Sequence, residues 1–360
     1  MVEEGRKTLT RWTIEKEHEN RQQDPTGDFS GLLNAVATAA KIIANQVNKG
    51  ALLGELGTSG AGDRPGKVQK NLDVISNEVM ISQTEWTGHL AAIASEDMED
   101  VYAIPGRYQR GKYLLVFDPL DGSGNIDVNI SVGTIFSILR SPSPGADASI
   151  DAFMQAGVAQ VCAGFALYGP STMLILTTGS GVDGFTLDRD IGAFILTHPQ
   201  MSVPGETSEF AINSSNERFW EPPVRRYVQE CLAGRTGPRD KDFNMRWVAS
   251  LVAEAFRILT RGGVFLDPTD SKDPSTPGRL SLMYEANPIA FIVEQAGGLA
   301  STGHQRLMDL TPTSLHQRMP LIFGSRREVE RIEQYHRDHV EPSDDPFDAS
   351  LFNTRSLFHP

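Results

Sequence analysis

Apolar residues recur at helical spacing in several separate stretches of the chain. The clearest is residues 30–48, where an apolar residue returns every three or four positions and predicts an amphipathic helix. A second such stretch, residues 285–296, is followed by Gly297 and Gly298, which suit a left-handed helix end. The same criterion predicts helices over residues 72–86, 222–232, 247–259 and 325–339.

Short apolar runs predict the β-strands. They lie at residues 91–95, 112–117, 130–139, 158–167, 172–177, 182–187, 193–196 and 319–323. Because four of them follow one another between residues 158 and 196, we expect a second sheet in this middle region.

Helices and strands mix without strict alternation, which predicts an α/β fold with α+β layering. We place a boundary near Gly205, with an N-terminal half at residues 1–204 and a C-terminal half at residues 205–340. The glycine-rich stretch 50–66 is predicted to be a mobile loop. The tail, residues 341–360, has no clear pattern and is compatible with disorder.

The most informative segment follows the apolar run at residues 112–117. It reads Asp118-Pro119-Leu120-Asp121-Gly122-Ser123-Gly124-Asn125. Carboxylates hold hard cations such as Mg²⁺, and glycine-rich turns present amide groups to phosphate. A β-turn in which aspartate caps backbone amides is the alternative interpretation. Because a Gly-Ser-Gly-Asn turn follows a buried strand, we favour a metal-dependent phosphate chemistry.

Other acidic residues could complete a metal site. Glu96 and Asp97 follow the strand predicted at residues 91–95, and strand ends that both carry carboxylates can converge, although an acidic surface loop is the common meaning of such a run. Glu285 stands alone in an apolar segment, where a buried acid requires a partner or a metal. Asp73 is either a base, an outer ligand or a helix-start carboxylate.

Cationic partners for a phosphate are available at Arg246, Lys272 and Arg279, although each of them alone is more often a solvated charge. The formal net charge of −13 over 360 residues disfavours nucleic acid and anionic membranes as partners. No apolar run is long enough for a membrane span, and Met1 to Arg6 lack a signal-peptide pattern. We therefore expect a cytoplasmic protein.

Cysteine and histidine usage argues against zinc chemistry. The chain has only Cys162 and Cys231, which are expected to be buried, reduced thiols. Its eight histidines are scattered without a ligand spacing such as H-E-x-x-H.

These motifs resemble class I fructose-1,6-bisphosphatase over nearly the whole chain, within the Mg²⁺-dependent, lithium-sensitive sugar and inositol phosphatases. Segment 117–127 is highly specific for this family. The other shared segments are 72–77, 110–113, 131–136, 166–169, 284–288 and 296–298. The resemblance implies a five-layer α/β/α/β/α sandwich, a homotetramer and hydrolysis of fructose 1,6-bisphosphate to fructose 6-phosphate, in gluconeogenesis or the Calvin cycle.

The resemblance also implies roles for individual residues. It implies two or three Mg²⁺ ions per subunit, which Mn²⁺ could replace, and catalytic roles for Asp73, Glu96 and Asp97. The implied metal ligands are Glu96, Asp97, Asp118, the carbonyl of Leu120, Asp121 and Glu285. The implied substrate contacts are Asp121, Gly122, Ser123, Gly124, Asn213, Arg246 from a neighbouring subunit, Trp247 and Arg279.

The chain departs from the family pattern mainly where the sugar phosphate would bind. Asn216, Trp247 and Asp267 replace tyrosines, Arg279 replaces a lysine and Ser281 an arginine. Asp97 is one methylene shorter than the usual glutamate, and Lys67 replaces an acid of the mobile loop unless Asp63 serves instead. Asp267 would repel a phosphate. Sedoheptulose 1,7-bisphosphate, an inositol phosphate, or a non-catalytic sensor of phosphometabolites therefore remain alternatives.

The family often carries an allosteric AMP site at a helix start, where free amides bind phosphate. The residues that match it are Thr26, Gly27, Asp28, Phe29, Ser30, Lys112, Tyr113 and Arg140. Helix capping explains Thr26 and Asp28 equally well.

Overall fold

The computed structural model describes residues 6–19, 27–53, 71–273 and 276–340. Most of the predicted 50–66 loop, the predicted tail, and Thr26, Asp63 and Lys67 lie outside these ranges. The described residues form seven α-helices: α1 (Leu9–Glu19), α2 (Asp28–Lys49), α3 (Asn71–Thr84), α4 (Pro222–Ala233), α5 (Leu251–Arg261), α6 (Asn287–Gln295) and α7 (Arg326–Val340).

Fifteen strands accompany these helices. They are β1 (Leu90–Ser95), β2 (Tyr102–Ala103), β3 (Tyr113–Asp121), β4 (Val132–Arg140), β5 (Cys162–Tyr168), β6 (Thr172–Thr177), β7 (Val182–Asp188), β8 (Ala193–Met201), β9 (Glu209–Ile212), β10 (Asn244–Met245), β11 (Val264–Asp267), β12 (Leu280–Ser281), β13 (Leu299–Ser301), β14 (Arg318–Met319) and β15 (Leu321–Gly324).

The first sheet has eight strands in the order β2-β1-β3-β4-β5-β6-β7-β8. Only the β1–β3 pair is parallel; each other pair is antiparallel. The expectation that the middle strands form a second sheet is wrong, because β5 to β8 extend the first sheet as a meander. Short antiparallel connections keep consecutive strands adjacent, which is the common outcome for such segments.

The second sheet is built from the C-terminal part of the chain. It has five strands in the order β10-β9-β11-β15-β13, and β9, β10 and β11 run parallel to one another. The remaining strands, β12 and β14, form a separate antiparallel pair.

Three of the four apolar cores among the described residues define the layers of the molecule. The first lies between α1 to α3 and one face of the large sheet, the second packs α5 and α6 between the two sheets, and the third lies between the small sheet and the pair α4 and α7. The order is therefore helices, sheet, helices, sheet, helices. The predicted five-layer α/β/α/β/α sandwich is confirmed.

Element boundaries differ from the predictions where the backbone takes special conformations. The helix predicted over 247–259 starts at Leu251, because Ala249 has a φ of 57° and Ser250 is extended. The helix predicted over 285–296 is two elements, a π-helix, Leu282–Ala286, followed by α6. Gly297 has a φ of 83°, as a left-handed helix end requires.

Helix α1 was not predicted, because its sequence is mostly polar; over its residues 9–17, burial is limited to Leu9, Trp12 and Thr13. Cys162 and Cys231 are buried and free of disulfides, as expected. Among the residues described, no helix combines the length and hydropathy that a membrane crossing needs.

Candidate active site

The register of the parallel pair β1–β3 brings two carboxylates together. Ser95 pairs with Phe117, and the amide of Glu96 donates to the carbonyl of Phe117 at 3.0 Å. Glu96 therefore follows β1 at the level where Asp118 follows Phe117 in β3. Both side chains are at least nine-tenths buried.

A β-bulge places Asp118 and Asp121 on the same side of β3. Four residues of β3, Asp118 to Asp121, stand opposite only three of β4, Ile135 to Gly133. Side chains of a regular strand alternate between faces, so residues three apart would point in opposite directions without this extra residue. The two aspartates thus belong to the strand and not to the turn suggested by the sequence. The amide of Leu120 donates to Asp118 Oδ1 at 3.0 Å, which fixes that carboxylate.

Glu285 reaches the same place from the π-helix Leu282–Ala286. Its Oε2 accepts hydrogen bonds from the amide and hydroxyl of Ser281, at 2.6 and 2.8 Å. Ser281, where the family pattern has an arginine, therefore orients Glu285.

The result is a cluster of buried acids. One ligand oxygen each from Glu96, Asp118 and Glu285 lies within 4.8 Å of the others. Burial, and then the neighbouring acids, raise the pKa of Glu285 to about 8, and burial together with Glu96 raises the pKa of Asp121 to about 6. Buried like charges are unfavourable without a counter-charge, and oxygen-only donors suit a hard divalent cation. The residues present fit a Mg²⁺ site.

Asp121 is held by the start of α5. Its Oδ2 accepts from the amide of Val252 at 2.9 Å and faces the hydroxyl of Ser250 at 3.4 Å. A helix N-terminus favours a negative charge, so this contact orders the carboxylate.

Arg318 is a site residue that the sequence analysis missed. Its strand, β14, pairs with β12 so that Arg318 stands opposite Ser281, and its Nη2 lies 3.7 Å from Glu96 Oε1. A guanidinium thus lies beside the carboxylate cluster, opposite the position where the family pattern has an arginine. The sequence around Arg318 does not indicate this position, because it follows only from the register in which β14 pairs with β12.

The turn after β3 offers backbone amides beside the cluster. Gly122 has a φ of 73°, and a Cβ there would lie 3.1 Å from the Cβ of Ser250, so glycine is required. Ser123 and Gly124 begin a 3₁₀-helix, Ser123–Val128, whose first intrahelical bond is made by Asn125. The amides of Ser123 and Gly124 therefore have no partner within that helix and suit an anion.

Asp73 and Asp97 are both buried near these elements. Asp73 lies in the first turn of α3, which packs against β3, and Asp97 directly follows Glu96. Neither belongs to the three-residue group that lies within 4.8 Å. Their proposed roles stay predictions.

The sugar-end candidates lie at the carboxyl edge of the second sheet. Because Leu266 pairs with Ile212 in parallel β11 and β9, Asp267 and Asn213 leave the sheet side by side. Asp267 Oδ1 accepts from Arg279 Nη2 at 2.6 Å and from Nε at 3.0 Å. Asp267 and Arg279, which both depart from the family pattern, thus form one ion pair. The repulsion expected between Asp267 and a phosphate is therefore offset by the charge of Arg279.

Two further candidates at this edge come from the segment after β10. Trp247 stacks on Phe265, with ring centroids 5.8 Å apart, and the half-exposed Arg246 lies 3.6 Å from Glu209. Asn216 is buried, and its Nδ2 has no hydrogen-bond partner in the described part of the chain. Lys272, Arg279 and Arg318 line a cavity of about 570 Å³ at the sugar end.

The residues that match an AMP site lie elsewhere, beside α2. Phe29, Tyr113 and Arg140 line one cavity of about 240 Å³, and Lys112 forms an ion pair with Asp28 at 2.9 Å. The amide of Ser30, at the start of α2, already donates to Glu17 Oε1 of α1 at 2.9 Å. A carboxylate of the chain itself therefore occupies an anion position at this helix start.

The pKa of Glu285 predicts a pH effect on stability in the absence of divalent cations. The folded protein binds this proton more tightly than the unfolded chain, whose value is near 4.5, so stability is present below pH 4.5 and is lost as the pH rises to about 8. In EDTA, the Tm of the wild type should fall over this range relative to Glu285→Gln, and Mg²⁺ should remove the difference. The exposed Glu99→Gln is the control. Parallel Tm curves for the wild type and Glu285→Gln would contradict this explanation.

Comparison with known proteins places the chain in a family. Residues 7–199 match the family model described as "Fructose-1-6-bisphosphatase, N-terminal domain", and residues 203–337 match "Fructose-1-6-bisphosphatase, C-terminal domain". The "Fructose-1,6-bisphosphatase class 1" of Hydrogenophilus thermoluteolus is 58% identical over 352 residues, covering 98% of this chain and 97% of that protein.

Solved structures agree with this placement. The holo form of Leishmania major fructose-1,6-bisphosphatase superimposes with a TM-score of 0.84 at 38% identity, over 92% of this chain and 99% of that one. The T-state form of the same enzyme gives 0.79 at 37% identity, with the same two coverages. The chain therefore belongs to the class 1 fructose-1,6-bisphosphatase family.

Proposed function

We propose that this chain hydrolyses fructose 1,6-bisphosphate to fructose 6-phosphate and phosphate, cleaving the 1-phosphate with a metal-activated water. The observation that carries the proposal is the cluster of Glu96, Asp118, Asp121 and Glu285 directly beside the amides of the 122–124 turn. Family membership over nearly the whole chain supports the same reaction.

The carboxylate cluster would hold two or three Mg²⁺ ions per subunit, or Mn²⁺, with Asp97 and the carbonyl of Leu120 as further ligands. When bound, such ions neutralise charge on the phosphate and lower the pKa of a bound water. Asp121 lies between the metal-binding carboxylates and the phosphate-binding turn. Its carboxylate faces the cluster, and the glycine turn directly follows it in sequence. Its anchoring by Val252 keeps that geometry fixed.

The chain's own groups perform the remaining tasks. The amides of Gly122, Ser123 and Gly124 bind the phosphoryl oxygens and hold them as charge redistributes. Asp73, Glu96 and Asp97 are buried carboxylates that orient the attacking water and accept its proton. Phosphoryl transfer needs little covalent work from the protein, so positioning and neutralisation account for most of the catalysis.

The second sheet would bind the rest of the sugar. Residues 1–204 form the regulatory and metal-site half in this proposal, and residues 205–340 form the sugar-phosphate half, with Asn213, Trp247 and Arg279 as contacts. Arg246 is exposed enough to reach a neighbouring subunit's site in a homotetramer. Sedoheptulose 1,7-bisphosphate is the second candidate substrate, favoured by Asn216, Asp267 and Ser281.

Asp118→Asn tests the catalytic half. The variant removes one cluster carboxylate while keeping its shape, and should lower kcat for phosphate release from fructose 1,6-bisphosphate by about 10²–10³-fold. The exposed Asp100→Asn serves as the matched control and should keep wild-type turnover.

A panel with sedoheptulose 1,7-bisphosphate and inositol 1-phosphate, ranked by kcat/KM, decides the substrate. If the wild type binds these phosphate esters in saturating Mg²⁺ but does not hydrolyse them, the chain is a phosphometabolite sensor and not an enzyme. Full activity of Asp118→Asn would show that the Asp118 carboxylate is not needed to hold the metal.

Asp267→Asn tests the ion pair at the sugar end. Without Asp267, the guanidinium of Arg279 is no longer fixed, so KM for fructose 1,6-bisphosphate should rise about 10-fold with little change in kcat. Asp267→Asn should add nothing in an Arg279→Ala background, whereas Asp270→Asn, whose contact with Arg279 is 3.8 Å, should have a small effect. Additive losses in the double variant would show that Asp267 acts independently of Arg279.

The cavity beside α2 is proposed as an AMP site. Gly27, Asp28, Phe29 and Ser30 form the helix start, Lys112, Tyr113 and Arg140 form the distal part, and Thr26 lies outside the described residues. The existence of a T-state structure of the Leishmania major enzyme is in keeping with regulation in the family. Because Glu17 accepts from the Ser30 amide, a phosphate must displace it.

Glu17→Ala should therefore increase AMP affinity, by about 5–10-fold, since the competing carboxylate is gone. Titration calorimetry gives the affinity, and the AMP concentration for half-inhibition gives the functional effect. Glu15→Ala is a matched control on the same helix, because Glu15 pairs with Lys7 and Arg11 instead. The proposed site would be contradicted if Glu17→Ala bound AMP more weakly than the wild type, or if neither the wild type nor Glu17→Ala bound AMP.

A further inference from the structure

A second group of metal-ligating side chains lies outside the carboxylate cluster. One ligand atom each from Glu221, His304 and His336 lies within 4.8 Å of the others. Glu221 immediately precedes α4, His304 lies in the turn after β13, and His336 is in the last turns of α7. The fold thus brings together three elements that are distant in sequence, at the outer helical layer and the β13 edge of the second sheet.

His336 is the buried member of this group. Its residue surface is only 4% exposed, and its Nε2 has no hydrogen-bond partner among the residues that the structure describes. Its Nδ1 lies 3.8 Å from Glu221 Oε2, too far for a hydrogen bond. Buried polar groups are nearly always satisfied, so an imidazole in this state requires an explanation. A cation held by a ring nitrogen of His336 and by the Glu221 carboxylate supplies one.

The turn before His304 is shaped to face His336. Gly303 has a φ of 98°, and a Cβ at this position would lie 3.0 Å from His336 Nε2. Glycine therefore permits both the backbone conformation and the close approach. The two imidazole rings are 4.5 Å apart between centroids at an angle of 66°, so they meet edge to face and do not stack in parallel.

A fourth donor stands nearby on α7. His339 follows His336 by three positions, which places the two on one face of the helix, and its charge acts on both Glu221 and His336. Burial, and then the neighbouring histidines, lower the pKa of His336 to about 4, so its imidazole is neutral at pH 7. Neutral imidazole is the form that binds metals.

We propose that Glu221, His304 and His336 bind a transition-metal ion, with Zn²⁺ as the best fit, and that His339 or water completes the coordination. Two imidazoles and a carboxylate suit Zn²⁺, whereas Mg²⁺ prefers oxygen ligands alone. Zn²⁺ ligands at about 2.0–2.1 Å stand roughly 3.3 Å apart in a tetrahedron, so the 3.8 Å separation needs only a small contraction. Glu221, the more exposed of the two partners, can supply this movement.

Such an ion would link α4, α7 and the β13 turn. It would be structural, because the site contains no group from the carboxylate cluster and no residue of the 122–124 turn. A site of this kind would make the packing of the outer helical layer dependent on a trace metal that is chemically distinct from the catalytic Mg²⁺.

Histidine-selective ¹⁵N NMR tests the proposal on the full-length protein. The carboxylate cluster has no histidine, so with Mg²⁺ saturating it, imidazole signals report only on other sites. Adding one equivalent of ZnCl₂ should shift the signals of His304 and His336, and of His339 if it coordinates, among the eight histidines of the chain. His304→Ala and His339→Ala assign the signals.

The affinity for Zn²⁺, measured against a competing chelator, decides the outcome. Glu221→Gln and His304→Ala should each weaken binding by about 10–100-fold and abolish the increase in Tm caused by Zn²⁺. His198→Ala, which removes a histidine outside the group, should leave both unchanged. The proposal is overturned if Zn²⁺ leaves the His304 and His336 signals in place, or if His304→Ala binds Zn²⁺ as tightly as the wild type.

Discussion

The structure depends on one unfavourable interaction, the mutual repulsion of buried carboxylates. Glu96, Asp118, Asp121 and Glu285 come from three segments of the sequence and meet in a region closed to solvent. Burial and like charge raise the pKa of Glu285 and Asp121, which means that the protein by itself does not stabilise their ionised forms. A fold that maintains such an arrangement requires a divalent counter-charge, and the chemistry follows from that requirement.

Several local devices hold the acids in place against their repulsion. The β-bulge in β3 turns Asp118 and Asp121 to one side, the start of α5 binds Asp121, and Ser281 binds Glu285. The last two contacts come from the layer of elements between the two sheets. The metal end and the sugar end are thereby connected through α5 and the β12–β14 pair, which also carries Arg318 and lies next to Arg279.

Much of the fold and of the metal end could be predicted from the sequence, because those signals are local. Apolar periodicity gave most helices and strands, and the acids at 96, 118 and 121 each follow or end a buried run. The membership of β5 to β8 in the first sheet could not be predicted, since pairing depends on contacts between distant segments. The bulge was missed for a similar reason, because it is defined only by the register of β3 against β4.

The sugar end was less predictable because its residues act in pairs. Asp267 and Arg279 looked like two separate departures from the family pattern, and their 2.6 Å contact makes them one unit. Ser281 is a departure from an arginine in the family pattern, and Arg318 stands opposite it on the neighbouring strand. The group of His304, His336 and Glu221 has no motif spacing at all, since it is assembled from a turn, a helix and a helix start.

The central claim is that the carboxylate cluster exists to hold divalent cations beside the phosphate turn. Electron paramagnetic resonance of the protein titrated with Mn²⁺ and a sugar bisphosphate tests it directly, because ions that share bridging ligands become spin-coupled. The account predicts two or three bound Mn²⁺ ions per chain with a coupled signal, lost in Asp118→Asn. Isolated, uncoupled Mn²⁺ whose binding is unaffected by Asp118→Asn would contradict it.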